Sequence, residues 1–424
     1  MQYNTKIYTT LLMLILMGTS ACKKAQVSVD DAEEIVSPTT GTRSQFTLDS
    51  IFLYAKQVYL WSDALPGYGT FNPRQKYGGI SSDIIAFKKE LFDISQLKIN
   101  VTTGNPYELP VYFENPKYSY LQQGRSLPGT SAGVVNSGAA VTSKIIATGN
   151  TPVAYLALAS FPLLNSSKAT LDQAFADLAT ANPKAIVIDL RSNGGGYLET
   201  AEYVANLIVP NGLNGKVMYS EVFNPAMQNG AVPILKHQPY LDANGKTAIY
   251  NGRNATMADV DYTTAGNTYT FSKKGNLQSI QSVYVIVSAK TASASEMLIS
   301  CLKPYFDVKL IGEKTYGKPV GFFGINIDQY SIYLSSFLIK NANGWSDYFT
   351  GMQPDVMIKG VDNPVLGDPD ELCLNAALSL INGTKKLTAS KLATTGKIAN
   401  VKADFLQVNN IESVMLENRL RLRK

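Results

Sequence analysis

The stretch 282–318 constrains the fold of this chain more than any other, because it alternates strand, helix and strand patterns. The run Val283–Val287 is apolar and largely β-branched, and it predicts a buried strand. The small residues of 291–296 follow it, and apolar side chains then recur at helical spacing. A second apolar run, 308–312, predicts another strand. With the similar alternation over 153–208, the pattern predicts an α/β fold with a mixed sheet and helices packed outside it.

Two residues of this stretch carry groups that suit catalysis. Helices favour Ser and Glu in their first turn, so Ser293 is expected where the strand gives way to the helix. A hydroxyl there faces unpaired backbone N–H groups and the positive end of the helix dipole, which together suit an oxyanion. The second strand can return Lys318 to the same edge of the sheet. The pattern therefore predicts a hydrolase with Ser293 as nucleophile and Lys318 as general base.

The choice of base follows from a shortage of histidine. The chain has one histidine, His237, which has no pattern of carboxylates around it. A zinc site of three histidines is therefore impossible, and a Ser-His-Asp triad would need this one residue. A lysine can replace histidine as base when burial leaves it neutral. Lys318 lies between Tyr316 and the pair Phe322 and Phe323, where burial is expected. No metal or cofactor is expected.

A glycine run follows the buried strand predicted at 185–190. Arg191, Ser192 and Asn193 lead into Gly194, Gly195 and Gly196. Glycine N–H groups at such a turn can approach a ligand closely. The spacing fits neither GxGxxG nor a GKS/T loop, so phosphate binding is disfavoured. Two interpretations stay open for this run, a tight turn or part of an oxyanion hole.

Taken together, four segments resemble the core motifs of the C-terminal processing (tail-specific) serine peptidases, and they follow that family's order. They are Ala154–Leu158, Asp189–Gly196, Val285–Glu296 and Gly312–Lys318. The resemblance covers 151–381 and implies a crotonase-like peptidase core after a small, mainly helical region. It implies Ser293 as nucleophile and Lys318, 25 residues later, as base. Backbone N–H groups of Ala294 and of the Gly194–Gly196 turn would hold the oxyanion.

The implied activity is hydrolysis of peptide bonds in exported or unfolded proteins through an acyl-enzyme. Many members of the family carry a glutamine four residues after the lysine, and this chain has Phe322 there. The family also usually inserts a PDZ domain before the first core strand, but only a connector fits between Leu121 and Val153. Capture of substrate C-termini is therefore not implied for this chain.

The N-terminus resembles a bacterial lipoprotein signal. Lys6 precedes the apolar run Leu11–Met17, and small residues lead to Cys22, which would become the lipidated first residue. The protein is thus expected to be exported and anchored by lipid to the cell envelope, on the periplasmic or outer face of the outer membrane. The predicted segments are 1–21 (signal), 22–45 (flexible tether), 46–121 (helical region), 122–150 (connector), 151–382 (catalytic domain) and 383–424 (basic tail).

Charge and cysteine content exclude two classes of protein. Lys and Arg number 38 against 33 Asp and Glu, and the segment 384–424 alone holds nine basic and three acidic residues. The remainder is close to neutral, which argues against a nucleic-acid groove. After Cys22, only Cys301 and Cys373 remain, which is too few for a disulfide framework. The expected partners are a protein or peptide substrate and a membrane.

Two other functions are compatible with these residues. The chain could be a surface lipoprotein that binds peptide or glycan with the same fold but is weakly active or inactive, which the missing PDZ domain and Phe322 favour. It could also be an esterase or amidase that uses the same pair on small acyl substrates. Labelling by a serine-reactive fluorophosphonate separates the first from an active enzyme, and cleavage of proteins separates the second from a peptidase.

Overall fold

The computed structural model describes residues 37–110, 113–125, 140–149, 151–242, 245–361, 364–383, 415–416 and 420–424. The predicted signal, Cys22 and most of the tether lie outside these residues. The chain divides into two compact units. The smaller one includes 66–72 and contains one short helix, whereas the larger one comprises 42–65 and 73–424. No helix in the described part of the chain is long and apolar enough to span a membrane.

The helices of the described residues are α1 (Arg43–Val58), α2 (Tyr68–Phe71), α3 (Pro73–Tyr77), α4 (Asp83–Ser95), α5 (Leu164–Ala179), α6 (Leu198–Ile208), α7 (Pro225–Gln228), α8 (Ala294–Leu302) and α9 (Leu372–Ile381). The strands between residues 120 and 357 are β1 (Tyr120–Gln123), β2 (Val141–Thr148), β3 (Thr151–Leu158), β4 (Ala185–Asp189), β5 (Gly196–Tyr197), β6 (Val217–Phe223), β7 (Ile249–Tyr250), β8 (Arg253–Asn254), β9 (Thr268–Thr270), β10 (Ser282–Val287), β11 (Asp307–Gly312), β12 (Val320–Gly321), β13 (Ile325–Ile327), β14 (Tyr330–Tyr333), β15 (Phe337–Asn341) and β16 (Val356–Met357). Strands β5, β7 and β8 belong to two-stranded sheets, and the others to larger sheets.

A six-stranded sheet in the order β16-β11-β10-β4-β3-β2 forms the centre of the larger unit. All neighbours are parallel except β2 and β3. Asp189 at the end of β4 pairs with Ile286, and Val287 at the end of β10 pairs with Gly312. The loops after β4, β10 and β11 therefore leave the sheet at one edge, where parallel α/β sheets place their binding sites.

The sheet is covered by helices, as the alternating sequence pattern predicts. Helix α9 packs against β4, β10 and β11, and its Cys373, Leu374 and Ala377 are buried in one core cluster with Val187 and Ile286. Helix α8 contacts α6, and α5 contacts α6. Burial of strand residues beneath these helices removes apolar area from water, which drives the packing. The expected mixed α/β fold with a mainly helical N-terminal region is confirmed.

Several boundaries differ from those expected from the sequence. Helix α1 begins at Arg43, inside the predicted tether, because Thr42 caps it through a reciprocal hydrogen bond with Gln45. Strand β2 lies in the predicted connector and pairs with β3 along its whole length. The TLDQ pattern at 170–173 predicts a helix start, but α5 already begins at Leu164 and runs through it. Local cap signals occur inside helices as well as at their ends, so this pattern is ambiguous.

The segment 209–281, expected as an insertion that covers the sheet, supplies strands to a second sheet. This sheet has the order β12-β15-β6-β9, with β6 antiparallel to β15. Strand β1, at the end of the helical region, pairs antiparallel with β14, and β14 pairs with β13. The β6–β15 and β1–β14 pairings join parts of the chain that lie far apart in sequence, whereas β13 and β14 are neighbours. The two long-range pairings could not be read from local periodicity.

Glu90 is buried in α4 with an unusual lack of partners. Its side chain is inaccessible to water, and neither carboxylate oxygen makes a hydrogen bond within the described residues. Burial, and then the charges of Asp49 and Asp93, raise the pKa of Glu90 well above 4.5. The unfolded chain ionises this group at lower pH than the folded one, so the free energy of unfolding decreases as pH rises above about 4.5.

We expect Glu90→Gln to increase thermal stability at pH 7 to 8 and to leave it nearly unchanged below about pH 4.5. Each unit by which the folded pKa exceeds the unfolded one corresponds to about 1.4 kcal/mol. Melting temperatures measured across this pH range for the variant, the parent chain and a control, Asp370→Asn at an exposed carboxylate, test this. A stability difference that does not change with pH would contradict it.

Candidate active site

The loops that leave β4 and β10 are held together by main-chain and hydroxyl contacts. Leu190 N–H donates to Ile286 O at 2.9 Å, and Thr291 Oγ1 donates to Leu190 O at 2.8 Å. Ser295 Oγ donates to Asn193 O at 3.0 Å. The small side chains of the second loop allow this close approach. The two loops thus form one rigid layer at the edge of the sheet.

Ser293 lies in this layer at the N-cap of α8, as the sequence predicts. Its backbone has φ 64° and ψ −120°, a conformation that side-chain-bearing residues rarely adopt. The residue is fully buried, and its Oγ makes no hydrogen bond within the described residues. Backbone strain of this kind costs roughly 1–3 kcal/mol and is concentrated at functional sites. The strained backbone therefore marks Ser293 as a candidate functional residue.

Glu296 links Ser293 to Lys318. Its Oε2 accepts hydrogen bonds from the backbone N–H of Ser293 at 3.0 Å and of Lys318 at 2.7 Å. Its Oε1 accepts from the Gly317 N–H at 2.7 Å and from the Thr315 hydroxyl at 2.5 Å. One oxygen atom therefore holds the main chains of both predicted catalytic residues. Burial raises the pKa of the Glu296 carboxyl, and these four donors oppose the rise.

Lys318 is 1% exposed, as predicted from its aromatic neighbours. Burial lowers the pKa of Lys318 from 10.5 to about 7, while the charges of Glu108 and Glu296 oppose that change and Lys117 adds to it. A base with this pKa is partly neutral at physiological pH. The Phe322 ring centroid lies 4.7 Å from Lys318 Nζ. Phe322 therefore occupies the place beside the amine, and Glu296 fixes the backbone of the lysine.

Two charged residues near Lys318 come from the helical region and were missed by the sequence analysis. Glu108 is fully buried and accepts hydrogen bonds from Tyr59 OH, from Ser335 Oγ, and from the N–H and Oγ of Ser119. Lys117 Nζ donates to Phe349 O at 2.6 Å. Burial lowers the pKa of Lys117 to about 8. No local pattern indicates either residue, because their position depends on contacts between distant segments.

The Tyr118 side chain joins the helical region to the lysine loop. Its hydroxyl donates to Gly317 O at 2.7 Å, one residue before Lys318. The Trp61 ring stacks on Tyr107 with centroids 4.7 Å apart, and Tyr107 meets Phe349 edge-on at the same distance. These contacts bury the side of the site that faces the N-terminal region. The predicted helical region thus forms a wall of the candidate site.

The glycine turn packs directly against Ser293. Gly195 has φ 113°, and a Cβ atom there would lie 2.8 Å from the Cβ of Ser293 and 3.1 Å from the Ala294 nitrogen. Any larger residue would displace the serine. The Gly195 N–H donates to Asn193 Oδ1 at 2.9 Å, whereas the N–H groups of Gly194 and Ala294 make no hydrogen bond to the described residues. Both are therefore available as oxyanion donors.

The turn is fixed from below by a buried ion-pair network. Arg191 donates to both oxygens of Asp189 and, through two parallel bonds of 2.8 and 2.9 Å, to Glu371 at the start of α9. Tyr155 OH donates to Asp189 at 2.9 Å. The two carboxylates satisfy the N–H donors of the buried guanidinium through charge-assisted hydrogen bonds. This network explains the Asp-Leu-Arg sequence in structural rather than catalytic terms.

The remaining candidate residues lie apart from this site. His237 is exposed, and Cys301 and Cys373 are buried free thiols. Burial raises the pKa of the Cys301 thiol, which disfavours the reactive thiolate. No group of three or more His, Cys, Asp or Glu residues among those described could hold a metal ion. Cys22 lies outside the described residues, so its lipidation stays a prediction.

Comparison with known proteins places this region in a family. Residues 152–358 match the sequence model of peptidase family S41. A chain from Bacteroides fragilis described as an S41 protease shares 26% identity over 58% of this chain and 58% of that chain, with a TM-score of 0.44. This chain thus spans little more than half of that one. No curated protein sequence matches it.

Two further solved structures are similar over more of their length. The photosystem II D1 C-terminal processing protease shares 15% identity over 76% of this chain and 94% of that chain, with a TM-score of 0.44. A lipoprotein from Streptococcus agalactiae shares 15% identity over 82% and 99%, with a TM-score of 0.45. The match to the model of peptidase family S41 covers residues 152–358, a little less than half of the chain.

The strained backbone of Ser293 leads to a stability prediction. Glycine adopts this conformation without strain, so Ser293→Gly should be more stable than Ser293→Ala. Glycine also stabilises helices more than alanine does at ordinary N-caps. The matched pair Thr42→Gly and Thr42→Ala, at a cap with φ −79°, therefore measures the glycine-over-alanine difference in the absence of strain. We expect the glycine-over-alanine difference in unfolding free energy to be about 1 kcal/mol larger at 293. Urea denaturation measures these free energies. A glycine-over-alanine difference that is the same at positions 293 and 42 would contradict backbone strain at Ser293.

Proposed function

We propose, from the match of residues 152–358 to the model of peptidase family S41, that this chain is a serine endopeptidase with a Ser293/Lys318 dyad. The observation that supports this most directly is the shared contact at Glu296, whose Oε2 binds the N–H of both residues. These residues are far apart in sequence and come from different loops. Because one carboxylate oxygen accepts a hydrogen bond from each of them, their main chains must lie close together.

The proposed reaction needs no group other than those of the chain and water. Neutral Lys318 takes the proton from Ser293 Oγ as this oxygen attacks the carbonyl carbon of the scissile bond. The N–H groups of Ala294 and Gly194 stabilise the oxyanion, and Gly195 and Gly196 shape the turn that presents Gly194. Lys318 then gives its proton to the leaving amine as the C–N bond breaks. Water, deprotonated by Lys318, hydrolyses the acyl-enzyme and regenerates the serine.

The proposed substrates are exported or unfolded proteins, reached in extended form at the edge of the sheet. The proposed organisation has a signal at 1–21, a lipid anchor at Cys22 and a catalytic domain that extends to residue 382. Because β2 belongs to the central sheet, we place the start of this domain at 141 rather than 151. The strained backbone of Ser293 and the burial of Lys318, whose pKa is lowered to about 7, favour an active enzyme over the inactive binding protein, because such features are concentrated at functional sites.

Substitution of either dyad residue should abolish proteolysis. Loss of a nucleophile or its base typically lowers kcat by at least about 10³-fold. We expect this for Ser293→Ala and Lys318→Met in cleavage of unfolded casein, with loss of fluorophosphonate labelling in the serine variant. Ser166→Ala and Lys314→Met, at exposed positions, are the matched controls. Cleavage by either dyad variant at the parent rate would rule out the dyad. Labelling without proteolysis would instead indicate an esterase or amidase.

The buried base should set the pH dependence of kcat/KM. Only the neutral amine accepts a proton, so activity should rise with pH and reach half its plateau near pH 7. Lys117→Met removes a neighbouring positive charge that lowers the pKa of Lys318, so the midpoint should move to higher pH. Lys314→Met again serves as control. A midpoint that is the same in all three chains would show that Lys117 does not act on the base.

A further inference from the structure

The segment near the end of the sequence returns to the candidate active site. Residues Met415–Leu416 form a strand, β17, that pairs in parallel with β5. Met415 lies opposite Gly196 and Leu416 opposite Tyr197. Strand β17 also lies beside β12, which begins two residues after Lys318. The predicted basic tail thus includes a strand placed between the glycine turn and the chain that follows the proposed base.

The β5 backbone has two edges, and one of them is occupied by Phe161. Phe161 N–H donates to Gly195 O at 2.9 Å, and Tyr197 N–H donates to Phe161 O at 2.8 Å. Successive residues of a strand direct their N–H and C=O groups to opposite edges. Gly196 therefore directs its groups to the second edge, where β17 lies. This edge is continuous with the turn that packs on Ser293.

The distances place β17 within reach of the proposed nucleophile. Neighbouring strands lie about 4.8 Å apart, and successive residues rise about 3.3 Å. Gly195 is one residue from the Gly196–Met415 pair, and it packs against the Cβ of Ser293. The main chain of β17 therefore runs about one strand width from the turn on which a substrate carbonyl would be held. Two chains cannot occupy this edge together.

The residues that follow β17 are firmly attached nearby. Leu420 is 7% exposed, and its carbonyl accepts a hydrogen bond from Tyr240 OH at 2.5 Å. Arg421 O accepts from Asp261 N–H at 2.8 Å, and Arg423 N–H donates to Asp259 O at 2.9 Å. An anchor only a few residues away keeps β17 at an effective concentration of roughly millimolar or more.

We propose that the edge of β5 opposite Phe161 is the docking strand for an extended polypeptide, and that Met415–Leu416 of the chain itself occupies it in competition with substrate. This inference rests on the proposed peptidase function and adds a mode of substrate binding and its control. Main-chain pairing recognises extended chains with little dependence on sequence, which suits unfolded proteins. The tethered strand acts as a competitive inhibitor that a long substrate must displace.

The kinetic test uses the double variant Met415→Pro and Leu416→Pro, which removes the N–H donors of β17 and keeps the anchor at 420–424. Because a competitive occupant raises KM alone, this variant should show a KM about three- to tenfold lower than the parent chain with kcat unchanged. Lys424→Pro, at an exposed position, is the matched control. Identical KM values in the double variant and the parent would overturn the inference.

A binding test separates this inference from the proposed function, because it does not need activity. The probe is a fluorescein-labelled peptide of residues 411–424, added to a Ser293→Ala chain that carries the two prolines. We expect saturable binding by fluorescence anisotropy below about 1 mM, and none for the same peptide with proline at positions 415 and 416, which lacks the N–H donors of the strand. Binding supports the docking strand even if no chain cleaves protein, in which case only the peptidase proposal fails. Absence of binding, in chains that circular dichroism shows to be folded, overturns the inference.

Discussion

The candidate site depends on the hydrogen bonds of one buried carboxylate, that of Glu296. Its two oxygens accept four donors from two segments: the N–H of Ser293, and the Thr315 hydroxyl with the N–H groups of Gly317 and Lys318. A buried carboxylate is costly unless its oxygens are satisfied, and three of these donors are main-chain groups that need a partner themselves. The carboxylate and its donors therefore satisfy each other's need for hydrogen bonds. The same contacts hold Ser293 in a backbone conformation that it would not adopt alone.

The charge of the proposed base is set by a balance of burial and neighbours. Burial disfavours the ammonium form of Lys318, and Glu108 and Glu296 favour it, so the pKa comes to about 7 rather than falling further. Glu108 and Lys117 both belong to the region that precedes residues 152–358, which match the family model. The helical region is therefore part of the electrostatics of the site. The Phe322 ring, rather than a polar side chain, lies against the Lys318 amine. The backbone of Lys318 is held by its N–H bond to Glu296.

The short β1–β2 connection and the position of β17 bear on how a substrate would reach the site. The sequence between β1 and β2 spans only 124–140, which is too short for an inserted folded domain. The described residues instead place a strand of the chain itself beside the glycine turn, on the edge of β5 that Phe161 leaves open. Strand pairing is independent of side-chain identity. The edge that holds the internal strand is therefore the one we propose for an extended, unfolded substrate.

Local sequence determined the α/β class, the strand at 283–287, the helix that starts after Ser293 and the burial of Lys318, because hydrophobic periodicity and cap residues report the surroundings of neighbouring positions. It also singled out the glycine turn, though not which of its N–H groups stay unpaired. Only the tertiary structure decided that Glu108 and Lys117 stand near the base, that β2 joins the central sheet and that β17 pairs with β5. The first and the last of these features arise from contacts between segments about 200 residues apart, whereas β2 enters the sheet by pairing with the next strand, β3. Such contacts depend on how the layers pack, and no short pattern encodes that.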